Sequence, residues 1–410
     1  MSVVRIENPG PTCDVDWSSL LRPGDLVVAA QGVGEPTVLL ESLLDVSPED
    51  VELFVGLSHT AVLSQSSSLP LVSFGGLGPL SSAVHRGNVE VIPTHFDDLP
   101  RVLPHRGRDL VVLVQVTASD ASGCHGLGMA VDHTFELFGR ARAVIAEVNH
   151  QLPMTSAPRV SASTFDAMVH TSRPLPIVRT PDISDVHRQI GAHVAGLIPD
   201  GATVQLGLGA VASAVGTALC GHRDLAVRST LVGDWLLELA SAGCLRPGLE
   251  AVVISEAAGA QELYDYVAAA GVQIRPVSQV SGPAARGEID SFAAVNSALE
   301  VDLTGQVNAE EIAGGYIGGI GGQTEYLRAA QRSDGGRSII ALPATAGRHS
   351  RVVSGLATAT VTTPRSGVDF IVTEYGFADL RGRSLRERAE SLIAIAAPQH
   401  RAKLEEGHAR

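Results

Sequence analysis

Two stretches half a chain apart follow one plan. RPGDLVVAAQGVGEPTVLLESL (residues 22–43) and IPDGATVQLGLGAVASAVGTAL (198–219) each run proline, turn residues, an apolar strand, Gly-x-Gly and a helical pattern. Gly32-Val33-Gly34 falls on Gly207-Leu208-Gly209. An internal repeat of this kind predicts two related α/β halves. The turn at Pro181, in RTPDISDVHRQIGAHVAG, precedes a new helical pattern and sets the expected boundary. The domains are therefore expected at 1–183 and 184–410.

Short apolar runs support the same architecture. DLVVLVQV (109–116), AVIAEV (143–148), AVVIS (251–255), SIIALP (338–343) and DFIVTEY (369–375) read as buried strands between Ala/Leu-rich helical patterns. Strand–helix alternation predicts open, mostly parallel sheets flanked by helices. In such sheets ligands sit at the carboxyl ends of the strands, where both Gly-x-Gly pairs fall. Aromatic residues make up only 4% of the 410, so Ala, Val, Gly and Leu must do most of the packing.

Charge and rare residues exclude several chemistries. The net charge is −14 and no Lys/Arg run appears, which argues against nucleic-acid partners. Lys403, in the tail RAKLEEGHAR, is the single lysine. A Schiff-base lysine and a P-loop lysine are thereby excluded. No HExxH motif or paired Cys/His cluster supports a metal. Cys13, Cys124, Cys220 and Cys244 are widely spaced, as expected of reduced thiols in a cytoplasmic protein. Cys124 and His125 are neighbours on one extended segment and would point to opposite sides. The opening residues carry no secretory pattern, and no 18-residue apolar stretch suggests a membrane span.

The glycine motifs admit three readings. Gly207-Leu-Gly209-Ala-Val-Ala212 fits a G-x-G-x-x-A dinucleotide fingerprint, but the following GHRDLAVRSTLVGD lacks a well-placed acid for a ribose. The glycines could simply permit a tight strand-to-helix turn. Alternatively, the amides after Gly207 and Gly209 could bind a developing oxyanion or a thioester carbonyl. A second cluster, GGYIGGIGGQ (314–323), holds six glycines in ten residues and leads into a helix. That describes a close-approach loop with a helix N-terminus ready for an anion or a polarised carbonyl.

These motifs together resemble the acetyl-CoA hydrolase/transferase family, which includes 4-hydroxybutyrate and butyryl CoA-transferases. The resemblance spans nearly the whole chain. It rests on TASDASGCHGLGMAVD (117–132), VIAEVNHQLPMT (144–155), GLGAVASAV, QELYDYV (261–267), NSALEVDLTGQVNAE (296–310), GGIGGQTEYLRAA (318–330), HSRVVSGL (349–356) and VTEYGFADLRG (372–382). It implies two similar α/β domains with the active site in their cleft, self-association, and coenzyme A as the acyl-thioester substrate. In the family a glutamate attacks the thioester, giving a glutamyl anhydride and then a glutamyl-CoA thioester. By position, Gly207 and Gly209 belong to the first oxyanion loop, and Gly321, Gly322 and Gln323 to the second.

One departure stands out. Transferases of the family read G-x-G-x-x-P and then His-Ser/Thr-Glu, the glutamate being the nucleophile. Here Ala212 replaces the proline, and Arg228-Ser229-Thr230 falls on the triplet, so Thr230 stands where the glutamate is expected. A threonine ester is a poor CoA acceptor, and its hydroxyl needs a base to attack. The lead expectation is therefore acyl transfer or hydrolysis without the usual glutamate. One alternative is an ordinary CoA-transferase using another carboxylate, Glu256 at the end of AVVIS being the first candidate. Acylation of Thr230 itself, or binding of an acyl thioester without turnover, are others. A nicotinamide dehydrogenase is remote. Arg351 and Arg228 are candidate contacts for CoA or a substrate carboxylate, and Gln31 and Glu35 could touch substrate. His59 is a possible base; Glu147 and Asn149 could face the site; Glu300 and Glu374 suit loop support. A carrier protein's phosphopantetheine arm would present the same thiol end as CoA.

Overall fold

A computed structural model describes residues 15–64, 68–281, 289–312, 315–358 and 360–408. Cys13, the opening segment and Gly314 lie outside the described residues. The chain forms two compact units. The first comprises 1–178 and 254–279; the second comprises 179–253 and 280–410. The strand Val252–Ala257 straddles the divide, so Glu256 belongs to the first unit.

The two repeated stretches fold alike at their starts. In the first, Asp25 donates its N–H to the Arg22 carbonyl (3.1 Å) across a turn closed by Gly24 at φ +91°. In the second, Ala202 donates to Pro199 (3.3 Å) across a turn with Gly201 at φ +76°. Only glycine adopts these angles without penalty. Each turn delivers a central strand, Asp25–Ala29 or Thr203–Gln205, and each strand is buried throughout.

In the first unit, seven parallel strands stand in the order Val89–Val91, Leu71–Ser73, Glu52–Phe54, Asp25–Ala29, Asp109–Thr117, Ala143–Asn149, Ala167–Thr171. The helix Thr37–Val46 follows the first strand and buries Leu39, Leu40 and Leu43 against Val27, Leu53 and Val111. Each such fully buried side chain contributes about 1.5–3 kcal/mol.

In the second unit the sheet runs Ala226–Val232, Thr203–Gln205, Phe292–Asn296, Arg337–Ala341, Phe370–Thr373 in parallel register, with Gly376–Asp379 as an antiparallel edge. Its core includes Phe292, Tyr326, Leu327, Ile340, Ile371 and Leu392. The strands expected at 109–116, 143–148, 251–255, 338–343 and 369–375 all form, within a few residues of those bounds. Mostly parallel sheets flanked by helices are thus the observed class. Among the described residues, no helix is long and apolar enough to cross a membrane.

Candidate active site

The glycine turn of the second unit is held by its carbonyls and open at its amides. Thr203 pairs with Ala226 and Val204 with Val227; continued, this register sets Thr230 level with Gly207. Ser229 confirms the level by donating its hydroxyl to the Leu206 carbonyl (2.7 Å) and to Leu231 (3.0 Å). Trp235, buried at the start of the helix Trp235–Ser241, donates its indole N–H to the Gly207 carbonyl (3.0 Å). The helix Ala210–Leu219 starts at Gly209, which has φ +100°. That helix presses Gly216 against Trp235, where a β-carbon would lie 2.5 Å from the Trp235 Cβ. Among the described residues, the N–H groups of Gly207, Leu208 and Gly209 have no acceptor. No atom lies within 4 Å of where a β-carbon would stand on Gly207 or Gly209. Free amides beside open space at a helix N-terminus form an anion-accepting surface.

Thr230 stands beside that surface. Its N–H donates to the Tyr326 hydroxyl (2.9 Å), and Tyr326 is 1% exposed. Among the described residues no hydrogen bond joins the Thr230 hydroxyl to a base. The Tyr326 ring also touches the second glycine loop: a β-carbon on Gly322 would lie 3.1 Å from it, and the Tyr326 N–H donates to the Gly322 carbonyl (3.0 Å). Gly322 caps the helix Gln323–Arg332, and Gly321 has φ +53° with open space around it. Gln323 is buried and donates to the Thr363 hydroxyl (3.1 Å). Buried Glu310 ties the approach to this loop, taking the Ile317 and Gly318 N–H groups on its carbonyl and the Tyr316 hydroxyl on its carboxylate (2.7 Å). The second unit therefore brings together Gly207, Gly209, Thr230 and Gly322 through Trp235 and Tyr326.

Other candidates in this unit have different surroundings. The Ser229 hydroxyl lies within hydrogen-bond distance of two carbonyls, those of Leu206 and Leu231. Arg228 lines a cavity of about 350 Å³ with Thr203, Arg246, Glu250, Asp290 and Ser291. Thr203 and Ala226 begin their strands, so this cavity lies at the end of the sheet opposite the glycine turn. Arg351 is half-buried, and its Nε has no hydrogen-bond partner among the described residues. Burial pulls its guanidinium below the ordinary value, against the pull of Glu374. Glu374 and Glu300 each accept a backbone N–H, from Ala344 (2.8 Å) and Ala357 (3.2 Å).

The first unit arranges its glycine turn in the opposite sense. Gln31 donates its N–H to Asp132 (2.6 Å), Gly32 to the Leu57 carbonyl (2.6 Å) and Val33 to Glu256 Oε1 (2.9 Å). The Gln115 side chain donates to the Val33 carbonyl (3.0 Å). Glu147 accepts the Val38 N–H (2.8 Å) and so caps the helix Thr37–Val46. Burial pushes the Glu256 carboxyl up to about 8; the Val33 N–H opposes the rise and Asp132 adds to it. Burial also raises Glu35, against the hydroxyls of Ser58, Thr60 and Thr37 and the charge of Arg173. Glu147 is raised by burial too, against the Val38 N–H and Arg173. Glu35 accepts from the Thr60 hydroxyl, and Gln31 takes the Leu57 N–H (3.1 Å). Asn149 is bonded to Gln115 and to the Arg173 backbone. Burial drags the His59 imidazole down to about 4, leaving a weak base. His125 donates Nδ1–H to the Thr117 carbonyl (2.8 Å) and its ring packs against Phe165; among the described residues no hydrogen bond joins it to Cys124.

Comparison with known proteins decides the family. Residues 16–181 match the acetyl-CoA hydrolase/transferase N-terminal domain, and 259–408 match its C-terminal domain. The chain belongs to the acetyl-CoA hydrolase/transferase family. It is 36% identical to 4-hydroxybutyrate coenzyme A transferase of Clostridium kluyveri over 92% of each chain. The crystal structure of 4-hydroxybutyrate CoA-transferase from Porphyromonas gingivalis is 32% identical, with TM-score 0.78 over 97% of both chains. RipA from Yersinia pestis is 28% identical, with TM-score 0.88 over 95% of both. As a member of this family the chain is an acyl-CoA transfer or hydrolysis enzyme, with CoA thioesters as its substrate class.

The sequence reading of this CoA-transferase relative passes over Trp235, Tyr326 and Asp132. Trp235 carries a signal, being one of only two tryptophans and lying just after the strand that bears Thr230. Tyr326 lies four residues after Gly322, one helical turn on. Asp132 closes the stretch TASDASGCHGLGMAVD that carries the resemblance, but nothing there announces its partner, Gln31, 101 residues away.

Proposed function

We propose that this enzyme moves the acyl group of a small acyl-CoA directly to water, an alcohol or an amine: the acceptor's oxygen or nitrogen bonds to the thioester carbon as it loses its proton, the C–S bond breaks, CoA leaves as the thiol, and no covalent intermediate forms at position 230. The single observation that carries this reading is the turn at Gly207–Gly209, whose carbonyls are tied and whose amides are open. Removing one preorganised oxyanion donor typically costs 10²–10³ in rate, so each such amide lowers an acyl-transfer barrier by about 3–4 kcal/mol. Thr230 supports the same reading. A hydroxyl with no base on it is a weak nucleophile, and it leaves the space beside Gly207 to an incoming acceptor.

The acyl group is proposed to be that of a small carboxylic acid, since the relatives' names run from acetyl, butyryl and 4-hydroxybutyrate to succinyl and cyclohexane-1-carboxylate. Arg351 is the proposed contact for an anionic part of CoA or of the acceptor, since its half-buried guanidinium keeps an Nε–H without a partner. We also propose cytoplasmic location and self-association, the latter from family resemblance.

The test follows free thiol and acyl product from acetyl-, butyryl- and 4-hydroxybutyryl-CoA in water alone and with a small alcohol or amine, while acetate and succinate report ordinary CoA transfer as a new thioester without thiol release. Consumption of at least one thioester is expected. Thermal stabilisation by CoA with no thioester consumed would replace the enzyme reading with that of a binder.

A further inference from the structure

We propose that Glu256 is a positioning residue that fixes the Gln31–Glu35 turn of the first unit, its carboxyl serving as a hydrogen-bonded wedge and not as a nucleophile. Its backbone is set first. Val131 donates its N–H to the Ser255 carbonyl (2.8 Å) and Ala257 donates to Met129 (3.1 Å), an antiparallel bridge that pairs Ala130 with Glu256. The same segment lies under the glycine turn, since a β-carbon on Gly34 would lie 3.0 Å from the Ala130 Cβ. From that base the carboxyl takes the Val33 N–H at 2.9 Å. It also fills the space over Gly32, where any β-carbon would collide with Oε1. Gly32 has φ +62°, so conformation and space both demand glycine there.

A nucleophilic carboxylate must present a lone pair to a thioester carbon at about 3 Å. Glu256 is 4% exposed and one oxygen is already engaged. The charged group that acts on it is Asp132, from the 129–134 segment, which adds like charge. Glu35, the acid on the turn itself, is bonded to Thr60 and Thr37. Burial next to a like charge keeps the acid form at neutral pH, consistent with its rise to about 8. A protonated carboxyl is a poor nucleophile and a good wedge.

The effect on turnover rests on the thioester reading above; the effect on the turn does not. The test therefore has two readouts for E256A and E256Q: amide hydrogen exchange across residues 31–35, and kcat/KM for an acyl-CoA from about pH 6 to pH 9. E256A is expected to speed exchange at Val33 by about tenfold or more, as loss of a buried hydrogen-bond partner does, and to lower kcat/KM through the Gln31 and Glu35 side chains that the sequence offers as substrate contacts. E256Q keeps the shape without the ionisation. It should restore most of the protection and most of the kcat/KM, and should remove the change near pH 8 from the profile. Unchanged exchange in E256A would overturn the proposal. So would a folded E256Q with a protected turn and no activity, the signature of a nucleophile. Should E256A fail to fold, E256Q decides alone by that criterion. Exchange reports on the wedge even where the wild type consumes no acyl-CoA, so failure of the functional reading is seen separately.

Discussion

The two Gly-x-Gly turns occupy equivalent positions, each after the central strand of its own sheet, and their polar groups are engaged in opposite ways. In the first, the N–H groups of Gln31, Gly32 and Val33 all have acceptors inside the unit, two of them carboxyls, and Gly32 is packed against a side chain. In the second, the carbonyls of Leu206 and Gly207 are taken while the amides from Gly207 to Gly209 are open. Sequence likeness at a turn thus says little about which of its polar groups remain free for a ligand. The side chains that arrive from elsewhere decide that: Glu256 and Asp132 in one case, Ser229 and Trp235 in the other.

The sharpest way to break this contrast is to put alanine on each turn. Gly209→Ala meets no neighbouring atom but must hold φ +100°. It should shift the open amides and lower turnover by about 10²-fold, with a stability cost of about 1–2 kcal/mol. Gly32→Ala drives a methyl into Glu256 and should destabilise the protein by about 3 kcal/mol. Thermal unfolding and thiol-release kinetics on both variants check the pair; equal behaviour in both assays would erase the distinction.

A smaller effect comes from the tie behind the open turn. Trp235→Phe keeps the ring packing but removes the donor to the Gly207 carbonyl. Turnover should fall about tenfold for about 1 kcal/mol of stability. A loss of stability with unchanged kcat would mean that the tie does not orient the amides.

The closed turn should respond to pH. Glu256 holds its proton more tightly folded than unfolded, so the folded state binds more protons between the ordinary glutamate value of 4.5 and about 8. Stability from this group is complete below that window and falls as pH rises through it, by at most ~1.4 kcal/mol per pH unit. The raised values of Glu35 and Glu147 act in the same direction. Denaturant titrations at several pH values should give a shallower slope for E256Q than for the wild type. Parallel slopes would contradict the buried acid.

The repeat, the parallel strands and the second glycine loop were legible in the sequence because each is a local pattern of period, turn chemistry and composition. The roles of Glu256 and Ser229 were not. Glu256 ends an ordinary apolar strand, and nothing near it in sequence announces that its carboxyl meets Val33, 223 residues away. Ser229 looks like part of a reactive triplet; only the parallel register, which lays it against Leu206, shows that its hydroxyl meets a backbone carbonyl. Arg228, one residue earlier, lines instead the cavity shared with Thr203, Arg246 and Asp290. Periodicity can assign residues to a face, but it cannot say which carbonyl or cavity that face meets.

The central claim is that the acyl group passes at the open turn without ever being bound to the protein. The most direct measurement is intact-protein mass spectrometry during turnover of an acyl-CoA, with free thiol followed in parallel and hydroxylamine or borohydride as traps. T230E, which installs a carboxylate beside Gly207, supplies the comparison and should yield a trappable adduct. For the wild type the expected result is released thiol with no change in protein mass. An acyl or CoA adduct mapped to Glu256 or Thr230 would contradict it.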